Sequence, residues 1–334
     1  MLNNKSILIT GGTGTFGKAF VATVIKKYPK IKKLIIFSRD ELKQFEMSSQ
    51  FSSKKYKFLR YYLGDVRDKE RVKRAIEGVD YIIHAAALKQ VNAAERNPLE
   101  FIKTNILGAQ NIIDASLDAN VKKIIALSSD KAASPINLYG ATKLCSDKLF
   151  IAANSYVGFR KLSFSVIRYG NVLGSRGSVL KVFLEKKKNS MPFGITDNKM
   201  TRFNLNIKQA IDTTIWALTN SLGGEIVVPK IPSFKIIDLA TAIDKNREKV
   251  IIGRGLGEKL HEELISSSDS YTTYDIGKYY LILSTQMPEQ IQKFKKKYKV
   301  FKKVKDDFSY TSKNNNHFLS IEEIKKEISK YDKI

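Results

Sequence analysis

The chain has 334 residues, 43 % of them hydrophobic, and a formal charge of +25 at pH 7. That length and apolar content support a large α/β domain with a smaller partner, and the single cysteine excludes an intrachain disulfide. No apolar run reaches the length of a membrane span, and the opening MLNNKSILITGG runs straight into a strand with no room for a cleavable signal, so a cytoplasmic protein is expected. Such a charge points to anionic partners in general. The lysines are nevertheless spread along the chain, and the densest run, KFKKKYKVFKKVK from Lys293 to Lys305, reads as a solvated helix face. No nucleic-acid motif accompanies it, so dedicated nucleic-acid binding is not expected. His84, His261 and His317 are scattered and lack cysteine partners, and no metal site is expected.

Ser6–Thr10 (SILIT) reads as a buried strand, followed at once by GGTGTFG and an amphipathic helix through Ile25. Gly11, Gly14 and Gly17 form a GxxGxxG pattern that gives a tight turn, backbone approach to a pyrophosphate and close helix–strand packing. With Thr10, Thr15 and Phe16 beside them, they are candidate dinucleotide ligands, and the helix amino terminus offers N–H groups to the phosphates. The second strand, from Leu34, ends in Ser38-Arg39, with Lys43 one turn further on. A basic set where an acid would select NAD favours NADP, with Arg39 facing the 2′-phosphate. Asp40 is a ribose ligand or a helix cap.

A third strand, Phe58–Leu63, ends in Gly64-Asp65-Val66; Asp65 and Val66 are adenine candidates, or Asp65 is a turn residue. The fourth, Tyr81–His84, opens into Ala85 and Ala86, small enough for close backbone approach to a cofactor. His84 lies within the apolar run and reads as a packed strand residue. From Asn97 to Leu117 the apolar spacing of Ile102, Ile106, Ala109 and Ile113 predicts a helical face carrying Asn105, a candidate for fixing the cofactor-side strand or a water.

A fifth strand, Val121–Leu127, delivers Ser128-Ser129-Asp130-Lys131 to its carboxyl end, where open α/β sheets place ligands. Tyr139 then opens a helix, and Lys143 at i+4 shares its face. A positive charge there would favour phenolate and suit Tyr139 to proton removal beside a nicotinamide. YxxxK alone is an ordinary surface pair; its place after SSDK makes it a catalytic candidate. Cys145 reads as a small buried residue on the same helix. Strand–helix units through Phe150 predict a parallel, doubly wound sheet with right-handed crossovers.

After the sixth strand, from Phe164, the glycine-containing RYGNVLGSRGSV brings Asn171, Ser175, Arg176 and Ser178; later loops bring Thr196, Met200 and Arg202, then Arg254, Glu258 and His261. Arginines recurring in such loops suit a nucleotide diphosphate. The organisation expected is a cofactor domain over 1–171, with the chain returning around 204–239. A substrate domain then comprises 172–203 and 240–334.

GGTGTFG, SRDELKQFEMSSQF, GDVRDKERV, HAAALKQV, KTNILGAQN, SSDKAASPINLYGATKL, RYGNVLGSRGSV, MTRF and GEKLHE together resemble the extended short-chain dehydrogenase/reductases. More narrowly, the chain resembles the inverting UDP-N-acetylglucosamine 4,6-dehydratases that begin pseudaminic acid synthesis. Departures are Ser129 where the family usually has threonine, and Gln90 where it has histidine after Lys89. The resemblance implies a Rossmann fold with bound NADP, a UDP-N-acetylglucosamine substrate that Lys89 also contacts, and a homo-oligomer. It further implies that Tyr139 removes the 4-hydroxyl proton while Lys143 holds the ribose and Ser129 orients the 4-oxygen. Lys131 would be the C5 base, and Asp130 the acid for the departing 6-hydroxyl. A retaining dehydratase and a nucleotide-sugar 4-epimerase are the alternatives; an epimerase has no use for an acid and base at C6 and C5.

Overall fold

Runs such as Ser6–Thr10 and Lys33–Ser38 bury nearly every residue, so both faces of their sheet must be covered. The computed structural model describes residues 2–175, 177–284 and 288–331. Its main sheet is built from β1 (Ser6–Thr10), β2 (Lys33–Ser38), β3 (Leu59–Leu63), β4 (Tyr81–His84), β5 (Lys123–Leu127), β6 (Ser163–Ile167), β7 (Glu225–Pro229), β8 (Thr273–Asp275), β9 (Tyr279–Leu283) and β10 (Lys302–Lys303). In space the order is β10-β8-β9-β7-β6-β5-β4-β1-β2-β3. From β3 to β7 every pairing is parallel, whereas β9, β8 and β10 extend the sheet antiparallel.

The strand order reverses between β1 and β4, which places a crevice beyond their carboxyl ends. Thr10 is in register with His84 there, and the Thr10 hydroxyl oxygen accepts from the Ala85 and Ala86 N–H groups at 3.1 Å each. The helix Thr15–Lys27 leaves β1 so tightly that a Cβ on Gly17 would lie 2.0 Å from the Gly12 carbonyl oxygen.

A second, smaller core gathers Leu180, Phe183, Leu239 and Ile324 from the helices Val179–Lys188, Ile236–Ile243 and Ile321–Tyr331, with Phe193 from the short strand Phe193–Ile195. The cleft lies between this cluster and the main sheet. Segments of the expected substrate part, 273–275, 279–283 and 302–303, run in the main sheet. Among the described residues no helix is long and apolar enough to cross a membrane.

Two local expectations change. The stretch 97–117 is a short helix Pro98–Phe101, a π-helical turn Ile102–Leu107 and a helix Gly108–Asp118. The wider turn shifts the helical phase, so Thr104 and Asn105 are buried while Ile102 and Ile106 are half-buried. Cys145 is exposed: the helix Leu138–Ala152 buries Tyr139, Thr142, Lys143, Ser146, Asp147 and Phe150, and Cys145 projects from the opposite side.

Candidate active site

A cleft of about 1020 Å³ runs from the β1–helix turn to the second core. Its cofactor end is lined by Gly11, Gly14, Thr15, Phe16, Ser38, Arg39, Lys43, Asp65, Val66, Ala85 and Ala86. Gly11 has φ +64°, and a Cβ there would lie 2.9 Å from the Ala86 Cα. Gly14 caps the helix Thr15–Lys27 without any side-chain hydrogen bond, so its first-turn N–H groups meet no capping side chain. These open glycine positions fit a dinucleotide pyrophosphate. Gly17 serves the helix packing described above and does not line the cleft; Thr10 lies behind the wall.

At the adenosine end, Asp40 caps the helix Glu41–Gln50 by accepting from Lys43 N–H at 2.9 Å, and it also ion-pairs with the Lys43 ammonium. Arg39 stands 3.8 Å from Asp65, which accepts Nε and Nη2 of Arg67 at 3.0 and 2.8 Å. Burial would raise the Asp65 carboxyl, but Arg67 and Arg39 outweigh it and hold the group below the usual carboxylate range.

Asn105 is 1 % exposed and also lies behind the wall. Its Oδ1 accepts from Leu88 N–H at 2.8 Å; its Nδ2 donates to the Leu88 carbonyl at 2.9 Å and to Thr142 Oγ1 at 3.0 Å. It thus ties the loop after β4 to the Tyr139 helix.

Pairing between β5 and β6 continues past the strands, with Ser128 N–H donating to Ile167 O at 2.7 Å and Asp130 N–H to Tyr169 O at 3.1 Å. That extension fixes Ser129, Asp130 and Lys131 at the strand end. Asn137 caps the following helix by accepting from Gly140 N–H at 2.8 Å, and its Nδ2 donates to Gly257 O at 2.8 Å. Gly140 presses so closely on the strand-end loop that a Cβ would lie 2.2 Å from Lys131 O.

Ser129 Oγ donates to Asp130 Oδ1 at 2.9 Å and also hydrogen-bonds Tyr139. Burial raises the Tyr139 phenol above its ordinary value; the Ser129 bond and the Lys131 charge oppose the rise. The expectation that Lys143 lowers Tyr139 is therefore corrected. Lys143 Nζ is turned to the Leu127 carbonyl at 2.9 Å, and burial lowers its own pKa against a raising contribution from Asp147.

Lys131 Nζ sits between Asp130 Oδ1 at 3.2 Å and Glu262 Oε1 at 3.0 Å. Burial would favour the neutral amine, but the two carboxylates outweigh it and hold Lys131 firmly as an ammonium. A free base at this position is thus corrected to a charged acid in the resting site. Asp130 is fully buried; burial, reinforced by Glu262, outweighs Lys131 and shifts its carboxyl upward toward the neutral acid. His84 is pushed by burial to a pKa of about 3, so it is neutral. With Thr10 Oγ1 accepting two N–H groups, its hydrogen is free for His84 Nδ1 at 3.0 Å, making His84 a packed strand residue.

On the substrate side the cleft is lined by Lys89, Asn171, Ser175, Ser178, Thr196, Met200, Arg202 and Glu258. Arg254 is exposed and outside the lining, and Arg176 lies outside the described residues. Arg202 is held from within: Nη1 donates to Thr201 O at 2.8 Å and Leu260 O at 3.1 Å, and Nη2 pairs with Glu258 at 3.4 Å. Ser178 precedes the helix Val179–Lys188, makes no capping bond, and its buried Oγ has no partner among the described residues. The sequence reading passed over Glu262, although it ends the GEKLHE run. Its signal was the repeated acid Glu262-Glu263. Among the described residues no cluster of three metal-ligating side chains occurs.

Residues 7–284 match the family described as polysaccharide biosynthesis protein. Over 328 residues the chain is 52 % identical to the inverting UDP-N-acetylglucosamine 4,6-dehydratase of Campylobacter jejuni, covering 97 % of both. It is 40 % identical over 332 residues to a Rickettsia akari protein named UDP-glucose 4-epimerase, covering 98 % of this chain and 96 % of that one. The X-ray structure of Pen from Bacillus thuringiensis is similar at TM-score 0.90 and 35 % identity, covering 100 % of both chains.

Proposed function

We propose that this chain, which belongs to the polysaccharide biosynthesis protein family of extended short-chain dehydrogenase/reductases, is a UDP-N-acetylglucosamine 4,6-dehydratase that inverts C5. The observation that carries the reading is the Ser129-Asp130-Lys131 strand end, with a carboxyl shifted toward its acid form beside an ammonium, in hydrogen-bond reach of Tyr139. Removing water across C5 and C6 needs an acid for the leaving oxygen and a carrier for the C5 proton. Exchange of configuration at C4 alone needs neither, so the epimerase reading leaves this pair without a task.

The cofactor proposed is NADP, supported by Arg39 and Lys43 on the cleft wall at the end of β2. When bound, it accepts hydride from C4 and returns it to C6. Lys143, anchored on Leu127, is proposed to hold the ribose. Tyr139, a phenol at rest, takes the proton from O4 as its own passes through Ser129 to the Asp130 carboxylate. Asp130 passes a proton to O6, which leaves as water. Lys131 carries the C5 proton, and its ammonium must first pass a proton to a neighbouring carboxylate. The uncapped helix at Val179 with Ser178, together with Lys89 and Asn171, supports diphosphate binding on the substrate side.

The product proposed is a UDP-2-acetamido-2,6-dideoxy-β-L-arabino-hex-4-ulose, the first step of a route to pseudaminic acid, and the enzyme is a hydro-lyase acting as a homo-oligomer. Mass spectrometry of UDP-N-acetylglucosamine incubated with the purified protein tests the reading. Loss of one water without consumption of added cofactor is expected; an isomer of unchanged mass refutes it.

A further inference from the structure

Glu262 is 2 % exposed, lines the cleft and sits immediately before the short strand Glu263–Ile265. Its N–H donates to Ser312 Oγ at 2.9 Å, which fixes the backbone. One carboxylate oxygen, Oε1, faces Lys131 Nζ at 3.0 Å and Arg202 Nε at 3.5 Å; the other, Oε2, is buried without a partner among the described residues. The ionisable groups that bear on it are Lys131, Arg202, Lys259 and, through Lys131, Asp130. Burial would raise its carboxyl, but Lys131 and Arg202 outweigh that and keep it a carboxylate. A buried carboxylate with one oxygen uncommitted is costly to maintain for packing alone.

We propose that Glu262 is the second carrier in the C5 proton exchange: it takes the ammonium proton of Lys131 before elimination and returns a proton to C5 after it. The proposal rests on the dehydratase reading above. Asp130 is less suited to this task, because a proton it holds departs with O6 as water. The steps balance. Lys131 ammonium and Glu262 carboxylate become amine and carboxylic acid. The amine then takes the proton from C5, whose bonding pair forms the enolate of the 4-ketone, and the C6–O bond breaks as its oxygen takes the Asp130 proton. Once hydride has returned from the bound cofactor to C6, the electron pair at C5 takes the Glu262 proton. Lys131 ends as ammonium and Glu262 as carboxylate. Asp130, which received the O4 proton through Tyr139 and Ser129 before elimination, ends as the carboxylate it began as. Lys131 Nζ and Glu262 Oε1 stand only 3.0 Å apart, so return of the proton to the opposite face of C5 requires the sugar or the Glu262 side chain to move between the two steps.

The test mixes NADP-loaded native enzyme, Glu262→Gln and Glu262→Asp with UDP-N-acetylglucosamine in D₂O. It follows reduced-nicotinamide absorbance and, by NMR, deuterium at C5. For Glu262→Gln, C4 oxidation proceeds near the native rate and reduced nicotinamide accumulates. Deuterium entry at C5 and product formation then fall by about 10²-fold or more, the usual range for losing an acid–base group. Glu262→Asp restores part of the C5 step. Product formation by Glu262→Gln near the native rate overturns the proposal, and so does an equal fall of C4 oxidation and C5 exchange, which marks a scaffold. If Glu262→Gln does not fold, Glu262→Asp decides: a slowed C5 step with native C4 oxidation supports the proposal, and equal or absent slowing overturns it. Native enzyme that fails to dehydrate the substrate refutes the underlying function instead.

Discussion

Lys131 is half-buried and His84 fully buried, and burial prevails only at His84. No opposite charge faces that imidazole, and its pKa falls to about 3 against an ordinary 6.5. A folded value below the unfolded one means that the stability is complete above pH 6.5 and is lost as pH falls, when only the unfolded chain takes the proton. Between pH 7 and pH 5 this single group should cost the fold about 2 kcal/mol. In urea unfolding, His84→Asn, which keeps an acceptor for Thr10, should lose about that much less over the same interval; identical pH slopes would show that His84 is not buried neutral. At Lys131 two carboxylates reverse the outcome. Lys131→Ala and Asp130→Asn should each lower dehydration by about 10²- to 10⁴-fold while NADP stays bound. Near-normal turnover in either variant would remove the assigned role. Arg39→Ala should weaken NADP by roughly 10-fold or more in a fluorescence titration and NAD far less, because only NADP has a 2′-phosphate to pair. The sequence made these side chains visible as candidates but not their charge states. Those depend on Glu262, far along the chain, and on burial, which spacing does not report.

Among the elements, the π-helical turn and the close approach of Gly140 set how the Leu138–Ala152 helix meets the sheet. Asn105→Ala would strip both backbone groups of Leu88 of their partner, at about 1–3 kcal/mol for each group left buried and unpaired. A fall of that order in unfolding free energy is expected, and an unchanged midpoint would show that water replaces the amide. Gly140→Ala should reduce turnover more than stability, since the added Cβ, 2.2 Å from Lys131 O, must push the strand-end loop off the helix. Turnover and unfolding measured together check this; a stability loss with normal turnover would contradict it. The strand and helix positions through β6 were legible from apolar runs and glycines, because local pattern determines them. The π turn was not, since a single added residue changes the buried face without altering composition. Cys145 was misread for a related reason: its small apolar side chain suggested burial, whereas the helix face is set by Tyr139, Lys143 and Asp147.

Across the whole molecule, the doubly wound sheet was readable because each parallel strand is separated from the next by a helical run. The antiparallel extension by β9, β8 and β10 was not, because those strands are short and join the sheet from a part of the chain whose neighbours look like substrate loops. Glu262, which pairs with Lys131, and Arg202, which pairs with Glu262, come instead from two small antiparallel pairings outside the main sheet, Glu263–Ile265 on Tyr310–Thr311 and Thr201–Phe203 on Ser233–Lys235. The +25 charge remains distributed: Lys295, Lys296 and Lys297 end an exposed helix far in sequence from the cleft residues. The central claim is inverting dehydration on a cofactor that is restored in each turnover. Proton NMR of UDP-N-acetylglucosamine incubated with the purified protein in D₂O, without added cofactor, tests it most directly. The account predicts a 4-keto-6-deoxy sugar carrying deuterium at C5, with ring couplings of the L-arabino arrangement. A D-xylo product, or a sugar changed only at C4, would contradict it.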